Sequence, residues 1–241
     1  MAKHHKMHLD ELTARRETPA DCELAIPVAE LCERFEKLYT GAVNDVMREM
    51  CLTRQALPPP IMPLRDEMKA CGIAFTIRSA ADPVLTGEME MRVEMLEKLH
   101  EHCVCVWNAN GEDEASHWGE VMTAASRARG CKGAVIDGGI RDTARILAQG
   151  FPIWYRYRTS NGSLSRCRIT GYQVPLQVGS AFIRPGDVIF ADIDGAIVVP
   201  RERACDVLTR AEQIRDNELE IRDWVDKGLS APEIHGRGGY F

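Results

Sequence analysis

Strand-like and helix-like stretches alternate through the middle of this chain, and that alternation limits the fold more than any other feature. CGIAFTIRS (71–79) has the two-residue apolar period of a strand, and MEMRVEMLEKLH (89–100) returns to helical spacing. HCVCVW (102–107) reads as a second strand, WGEVMTAASRARG (118–130) as a helix, and GAVID (133–137) as a third strand. After a turn through Gly138 and Gly139, DTARILAQG (142–150) reads as a helix closed by Gly150. Strands separated by helices of this length favour parallel pairing with helical crossovers, an α/β domain.

The flanks fit the same plan. IPVAELCERFEKLY (26–39) is helical, with Pro27 suited to a first turn, and AVNDVMREM (42–50) follows before the connector LPPPIMP (57–63). From Phe151 to Pro200 short strands rich in Val, Ile and aromatics alternate with turns, so the sheet is expected to be mixed. A long last helix runs from about Arg201 to Gly228. The boundaries expected are a polar, flexible leader over 1–25, one domain over 26–230 and a tail over 231–241.

Two acids stand where this arrangement exposes strand ends. Arg141 and Asp142 follow the GAVID strand, and Asp142 alone could be an ordinary helix N-cap. Twenty-one residues before Arg141, however, Glu120 follows Gly119 at the start of another helix. Free N–H groups and the positive dipole end make such a start an anion site. If the strands leading into the two turns are neighbours, both acids lie at one edge of the sheet, where α/β folds place ligands. Two carboxylates, an arginine and a helix N-terminus suit a divalent cation, Mg²⁺ or Mn²⁺, beside a keto acid. The cation would polarise the carbonyl, Arg141 would stabilise a developing enolate, and backbone amides would hold the carboxylate.

The series Gly119-Glu120, Ala125, Gly130, Gly133, Val135, Asp137-Gly138, Arg141-Asp142 resembles the signature of class II pyruvate aldolases that cleave 4-hydroxy-4-methyl-2-oxoglutarate. That family is related to the RraA regulators of ribonuclease E. GDVIFADIDGAIVVP (186–200) is similar to its second signature and YTGAVNDVM (39–47) to its N-terminal helix. The resemblance implies an α/β/β/α sandwich like the phosphohistidine swivelling domain, with helical arms, assembled as homotrimers or homohexamers. It implies that Asp142 ligates the metal, Glu120 holds metal-bound waters and Arg141 contacts the keto oxygen. Gly119 and the N–H groups of Val121 and Met122 would receive the pyruvyl carboxylate. The implied reaction is retro-aldol cleavage to pyruvate and a second carbonyl compound, with oxaloacetate decarboxylation as a natural second activity. The family commonly has aspartate at the first acid; glutamate here keeps the charge on a longer arm. The regulators lack an acid there, so Glu120 favours an enzyme over the rival reading, a non-catalytic binder that occludes a ribonuclease.

Other features leave alternatives open. Ala204, Val207, Ala211, Ile214, Glu218, Ile221 and Val225 share one face of the last helix. Glu218 either bends out to water or, as the resemblance implies, completes a neighbouring subunit's metal shell. YRYRTSNGSLSRCRITG (155–171) reads as a solvated hairpin; folded toward the site instead, its arginines (Arg156, Arg158, Arg166, Arg168) would bind a distal carboxylate or phosphate. His117 reads as a surface or capping residue rather than an acid–base group. Lys132, between glycines ahead of a strand, reads as exposed, against Schiff-base chemistry. IDGGIRD lacks the glycine spacing of a methyltransferase's nucleotide-like cofactor turn.

Bulk properties narrow the partners. A chain of 241 residues can bury one sizeable core, and a net charge of −6 argues against an extended nucleic-acid surface. No apolar run suggests a membrane span or signal peptide, and the histidines of the leader read as solvated. Nine cysteines with no zinc-like pair spacing read as small apolar side chains in a reduced, cytoplasmic protein.

Overall fold

The computed structural model describes residues 8–17 and 19–241. The first half contains α1 (Leu9–Glu17), α2 (Val28–Phe35), α3 (Thr40–Glu49), β1 (Met62–Pro63), β2 (Ala70–Ala81), α4 (Glu88–Glu97), β3 (Cys103–Asn108), β4 (Ser116–Trp118) and α5 (Glu120–Ala128). The second contains β5 (Gly133–Ile140), α6 (Thr143–Ala148), β6 (Ile153–Arg158), β7 (Cys167–Tyr172), β8 (Leu176–Val178), β9 (Ala181–Ile183), β10 (Val188–Asp192), β11 (Gly195–Val199), α7 (Ala204–Asp226) and α8 (Ala231–Gly236).

Nine strands form one mixed sheet in the order β1-β6-β5-β3-β2-β10-β11, with β4 added to β5 and β7 to β2. The central strands β2, β3, β5 and β6 are parallel, as the intervening helices require. The hairpin β10–β11 joins β2 antiparallel, and β11 comes round to β1, so the sheet is nearly closed.

Strand alternation sorts side chains even where both faces are buried. Ala74, Val104, Val106, Val135, Ile189 and Val198 fill the inside of the curled sheet. Their neighbours Phe75, Cys103, Cys105, Ala134 and Ile136 face outward beneath α4, α5 and α6. On the other half, Cys71, Ile73, Val188, Phe190, Ile197 and Val199 pack outward against α2, α3 and α7. The layer order is therefore helices, sheet, sheet, helices, with six of the nine cysteines buried as small core residues.

Four local expectations change. The GAVID strand does not turn at Gly138 and Gly139 but continues to Ile140. Both positions need glycine for closeness: a Cβ on Gly138 would lie 2.7 Å from His117 Cδ2, and one on Gly139 2.6 Å from the Ala115 carbonyl oxygen. The 155–171 stretch is not a hairpin, because β6 pairs with β5 and β1 while β7 pairs with β2. His117 lies inside β4 and is 1% exposed. Finally, the polar leader contains α1, none of whose residues is buried, and Ala20 is pinned by a 2.7 Å hydrogen bond to the Pro185 carbonyl. His4 and His5 lie outside the described residues.

The expected stripe on α7 is buried from Ala204 to Ile214 only. Beyond that turn the helix leaves the core, with Leu219 and Val225 exposed and Glu218 half-buried beside Tyr240.

Candidate active site

The two acid-bearing turns meet because the strands that lead into them pair. β4 runs parallel to β5, and the Arg141 N–H donates to the Trp118 carbonyl at 2.9 Å. Gly119 then caps α5, and Asp142 stands at the N-cap of α6. Asp142 holds a left-handed backbone, φ 56° and ψ 32°, and its side chain makes no cap bond to its own helix. Its carboxylate turns across to the other helix, 3.4 Å from the Glu120 N–H and 3.6 Å from Arg141 Nε. A left-handed aspartate costs energy that a capping role would not require, and such strain gathers at functional positions.

These groups surround a cavity of about 90 Å³ lined by Gly119, Val121, Met122, Arg141, Asp142 and, from elsewhere, Arg92, Ser116, His117, Trp118 and Ser163. Val121 and Met122 lie in the first turn of α5, where backbone N–H groups have no helical acceptor. An outer cleft shares Arg141 and Asp142 and continues past Arg158, Thr159 and Ser160.

Glu120 is placed differently from Asp142. Its carboxylate does not line the cavity; it accepts a 2.8 Å bond from Arg145 Nη1. That bond, with the added negative charges of Glu120 and Asp142, raises the Arg145 guanidinium further. Both acids thus act on one cation. Glu218 sits on the far stretch of α7, not among the residues lining this cavity. Lys132 is exposed at the opposite end of β5 from Arg141, away from the cavity.

His117 lines the cavity yet has no nitrogen free to serve it. Nε2 faces Glu112 Oε2 at 2.9 Å, and Nδ1 faces Ser79 Oγ at 3.3 Å and Cys167 Sγ at 3.7 Å. Burial lowers its pKa despite the Glu112 carboxylate, so the ring is a neutral structural bridge. Burial and the Glu112 charge likewise push the Cys167 thiol up to about 11.

The arginine-rich connection does cross the site, although its arginines are mostly engaged. A Cβ on Gly162 would lie 2.9 Å from Arg141 Nη1, and Ser163 reaches the cavity. Arg156 pairs with Asp137, Arg158 donates to Tyr155 Oη at 2.8 Å, and Arg166 donates to the Gly162 carbonyl at 3.2 Å. Arg168 donates to the Thr86 carbonyl at 3.3 Å.

Ser116 and Trp118 of β4, Arg92 and Ser163 line the cavity without having been foreseen. Arg92 projects from α4, where the helical pattern made it one more charged surface residue, and Ser163 comes from the connection before β7. A lone arginine within a helical charge pattern carries no local signal of burial; only the tertiary packing of α4 against β7 reveals it.

Known proteins resemble this chain along most of its length. The RraA-like family model, described as Aldolase/RraA, matches residues 29–198. A solved structure described as belonging to novel cellulases from gut-associated microbes is 50% identical, covers 89% of this chain and 96% of that one, and has a TM-score of 0.86. RraAS2 of Streptomyces coelicolor, described as an unusual member of the RNase ES inhibitor RraA family, is 27% identical over 83% of this chain and 99% of its own, with a TM-score of 0.74. A Halalkalibacterium halodurans protein, provisionally named a 4-hydroxy-4-methyl-2-oxoglutarate aldolase, is 29% identical over 80% of this chain and 93% of its own. The match to DlpA of Legionella pneumophila, 28% identical, spans only 27% of that longer protein.

Proposed function

The chain belongs to the RraA-like family, and from that premise we propose a metal-dependent carbon–carbon lyase that releases pyruvate from a 4-hydroxy-2-oxo acid. One observation carries this reading: a left-handed Asp142, Arg141 and the first-turn amides of α5 converge on a single small cavity.

The residues fit a hard divalent cation. The Asp142 carboxylate, with no cap bond and only the long contacts to Glu120 N–H and Arg141 Nε, keeps lone pairs unspent. Mg²⁺ or Mn²⁺ needs one or two such carboxylates and keeps several waters. Asp142 would be the direct ligand, Glu120 the second acid on the adjoining turn, and Glu218 a contribution from a neighbouring subunit of a homotrimer or homohexamer. When bound, the ion supplies Lewis-acid polarisation of the 2-oxo group.

The protein groups divide the remaining work. The N–H groups of Val121 and Met122 donate to the substrate carboxylate, with Gly119 leaving room beside them. Arg141 donates to the 2-oxo oxygen and stabilises the charge that collects there as the C3–C4 bond breaks. Glu120, at the solvent edge, draws the 4-hydroxyl proton through water. Protonation at C3 then gives pyruvate. Decarboxylation of oxaloacetate needs the same stabilised enolate.

Glycoside cleavage, which the word cellulases would suggest, fits the cavity poorly. It needs two carboxylates flanking a sugar-binding cleft, roughly 5–9.5 Å apart. The cavity of about 90 Å³ is lined by one acid, Asp142.

The decisive assay follows pyruvate release from a panel of 4-hydroxy-2-oxo acids with Mg²⁺, Mn²⁺ or chelator. Metal-dependent release that Asp142→Ala abolishes is the expected result; no release from any member of the panel overturns the reading. One observation favours a second reading, a non-catalytic ribonuclease regulator: Arg145 already occupies the Glu120 carboxylate. Inhibition of a ribonuclease E-type enzyme by the purified chain, without pyruvate release, would establish it.

A further inference from the structure

Three cysteines from two separate segments meet in the outward layer of the sheet. Cys103 and Cys105 stand two residues apart on β3, so their side chains share the face beneath α4, α5 and α6. Cys131 lies in the connection between α5 and β5. The three sulfurs lie within 4.8 Å of one another, and Cys103 Sγ and Cys131 Sγ are 3.0 Å apart. None of the three lines the cavity at Arg141 and Asp142.

The backbone holds one pair in position to bond. The Lys132 N–H donates to the Cys103 carbonyl at 2.7 Å, which lays residue 131 beside the start of β3. The Cys131 N–H donates in turn to the Ser126 carbonyl at 3.1 Å, tying the same residue to the end of α5. The two sulfurs need to close by only about 1 Å to form a disulfide. Cys103 and Cys105 are a poorer pair, since alternate residues of one extended strand have Cα atoms about 6.6 Å apart, near the limit a disulfide spans.

Charge decides what the cluster suits. Hydrogen bonds from the Cys105 and Cys131 thiols lower the pKa of Cys103, so a proton leaving the cluster leaves its charge there. Three thiolates around Zn²⁺ would keep a net negative charge among apolar side chains. Zinc would also call for a fourth ligand, and among the described residues no other His, Cys, Asp or Glu joins this cluster. A disulfide is neutral and asks for nothing more. Cys131, 7% exposed, is the thiol that meets solvent, while Cys103 and Cys105 are fully buried.

We propose that Cys103 and Cys131 are a modification site for a small hydroperoxide, which joins them in a disulfide that fastens the end of α5 to β3. The Cys131 sulfur attacks one peroxide oxygen; an S–O bond forms, the O–O bond breaks, and water leaves a sulfenic acid behind. The Cys103 sulfur then attacks that of Cys131; the S–S bond forms, the S–O bond breaks and a second water leaves. Two thiols are oxidised as one hydrogen peroxide becomes two waters. The link joins residues 28 apart, so it removes chain entropy chiefly from the unfolded state. The inference is independent of what the cavity cleaves.

The test treats the full chain with hydrogen peroxide, alkylates the remaining thiols after unfolding, and maps tryptic peptides with and without reductant. A reducible link between the peptides 130–132 and 99–127 is the expected result. Because the longer peptide carries both Cys103 and Cys105, Cys105→Ala should keep the link and Cys131→Ser should lose it. Oxidation should raise the melting temperature by about 5–10 °C, reversibly with dithiothreitol, and Cys131→Ser should show no rise. The exposed Cys22 and Cys51 report that the peroxide has acted. If they are oxidised in the wild type while Cys131 is still recovered alkylated, the proposal is overturned, whatever the variants do. A link that Cys105→Ala abolishes overturns the pairing, and so does an equal rise in melting temperature in Cys131→Ser. Zinc or copper carried by the purified wild type and lost in Cys131→Ser overturns it as well, by making the thiols a metal site.

Discussion

Arg145 holds the Glu120 carboxylate at 2.8 Å while also feeling the charge of Asp142, so one guanidinium stands between the two acids of the site. It is an exposed contact and contributes little to folding. Its consequence is functional: Glu120 must leave Arg145 before it can serve anything bound at Asp142. Arg145→Gln should therefore tighten Mg²⁺ binding by about 3- to 10-fold without measurably changing the melting temperature. Titration of Mg²⁺ against activity checks this, and Glu120→Gln should cancel the gain. Unchanged Mg²⁺ affinity in Arg145→Gln would separate Glu120 from the metal.

Asp142 offers a test in which stability and activity move apart. Its left-handed backbone is disfavoured for any residue with a side chain, and glycine relieves it. Asp142→Gly should leave thermal stability equal or up to about 1 kcal/mol higher, while pyruvate release falls by about 100-fold or more. Calorimetry beside the pyruvate-release assay reads both.

Gly119 keeps the space beside that carboxylate open. Its backbone is extended, so alanine brings no strain, but the added methyl would lie 2.8 Å from Asp142 Oδ2 and 3.4 Å from Arg141 Cγ. Gly119→Ala should fold normally and raise the Mg²⁺ concentration needed for half-maximal activity, since only the exposed Asp142 side chain has to move.

Asp192 supplies a purely structural counterpart. Buried at the end of β10, its carboxylate accepts the Thr40 N–H at 2.7 Å, the Thr40 hydroxyl at 2.8 Å and the Asp194 N–H at 3.0 Å. This ties the start of α3 to the sheet. Asp192→Ala leaves the two Thr40 donors buried and unmatched and should cost about 2–4 kcal/mol in denaturant unfolding.

His117 sets a pH dependence of folding. Burial lowers its pKa below the unfolded value, so below that value the unfolded chain binds more protons than the native one. Stability is fully present above about pH 6.5 and declines as pH falls from there toward the lowered native value. In His117→Gln the decline over that window should flatten, as measured by urea midpoints at several pH values.

Much of the frame was readable because period and punctuation speak directly. The alternation in 71–79 and 102–107 became β2 and β3, and Gly150 ends α6 with φ +63°. That Gly119-Glu120 and Arg141-Asp142 each stand at the start of a helix was readable, but the short strand β4 that leads into Gly119 and pairs with β5 was not. The partners of β6 and β7 were not, since Arg156 to Arg168 has the composition of a hairpin and only long-range pairing rules it out. Nor was the burial of His117 and Arg92: their carboxylate partners Glu112 and Glu88 lie close by in sequence, but the groups that enclose them, Ser79 and Cys167 around His117 and Trp107 and Ser163 around Arg92, come from distant segments. Short-range sequence shows what a residue could do; the neighbours that disarm or sharpen it come from afar.

Because β6 and β7 bond to different strands, the eight residues between them form a strap fastened at both ends, with Gly162 and Ser163 over the arginine and the cavity. Its anchors belong to the sheet, but its sequence does not. A relative that lengthens or recolours this strap changes what meets the cavity from above while the turns carrying Arg141 and Asp142 stay as they are beneath it.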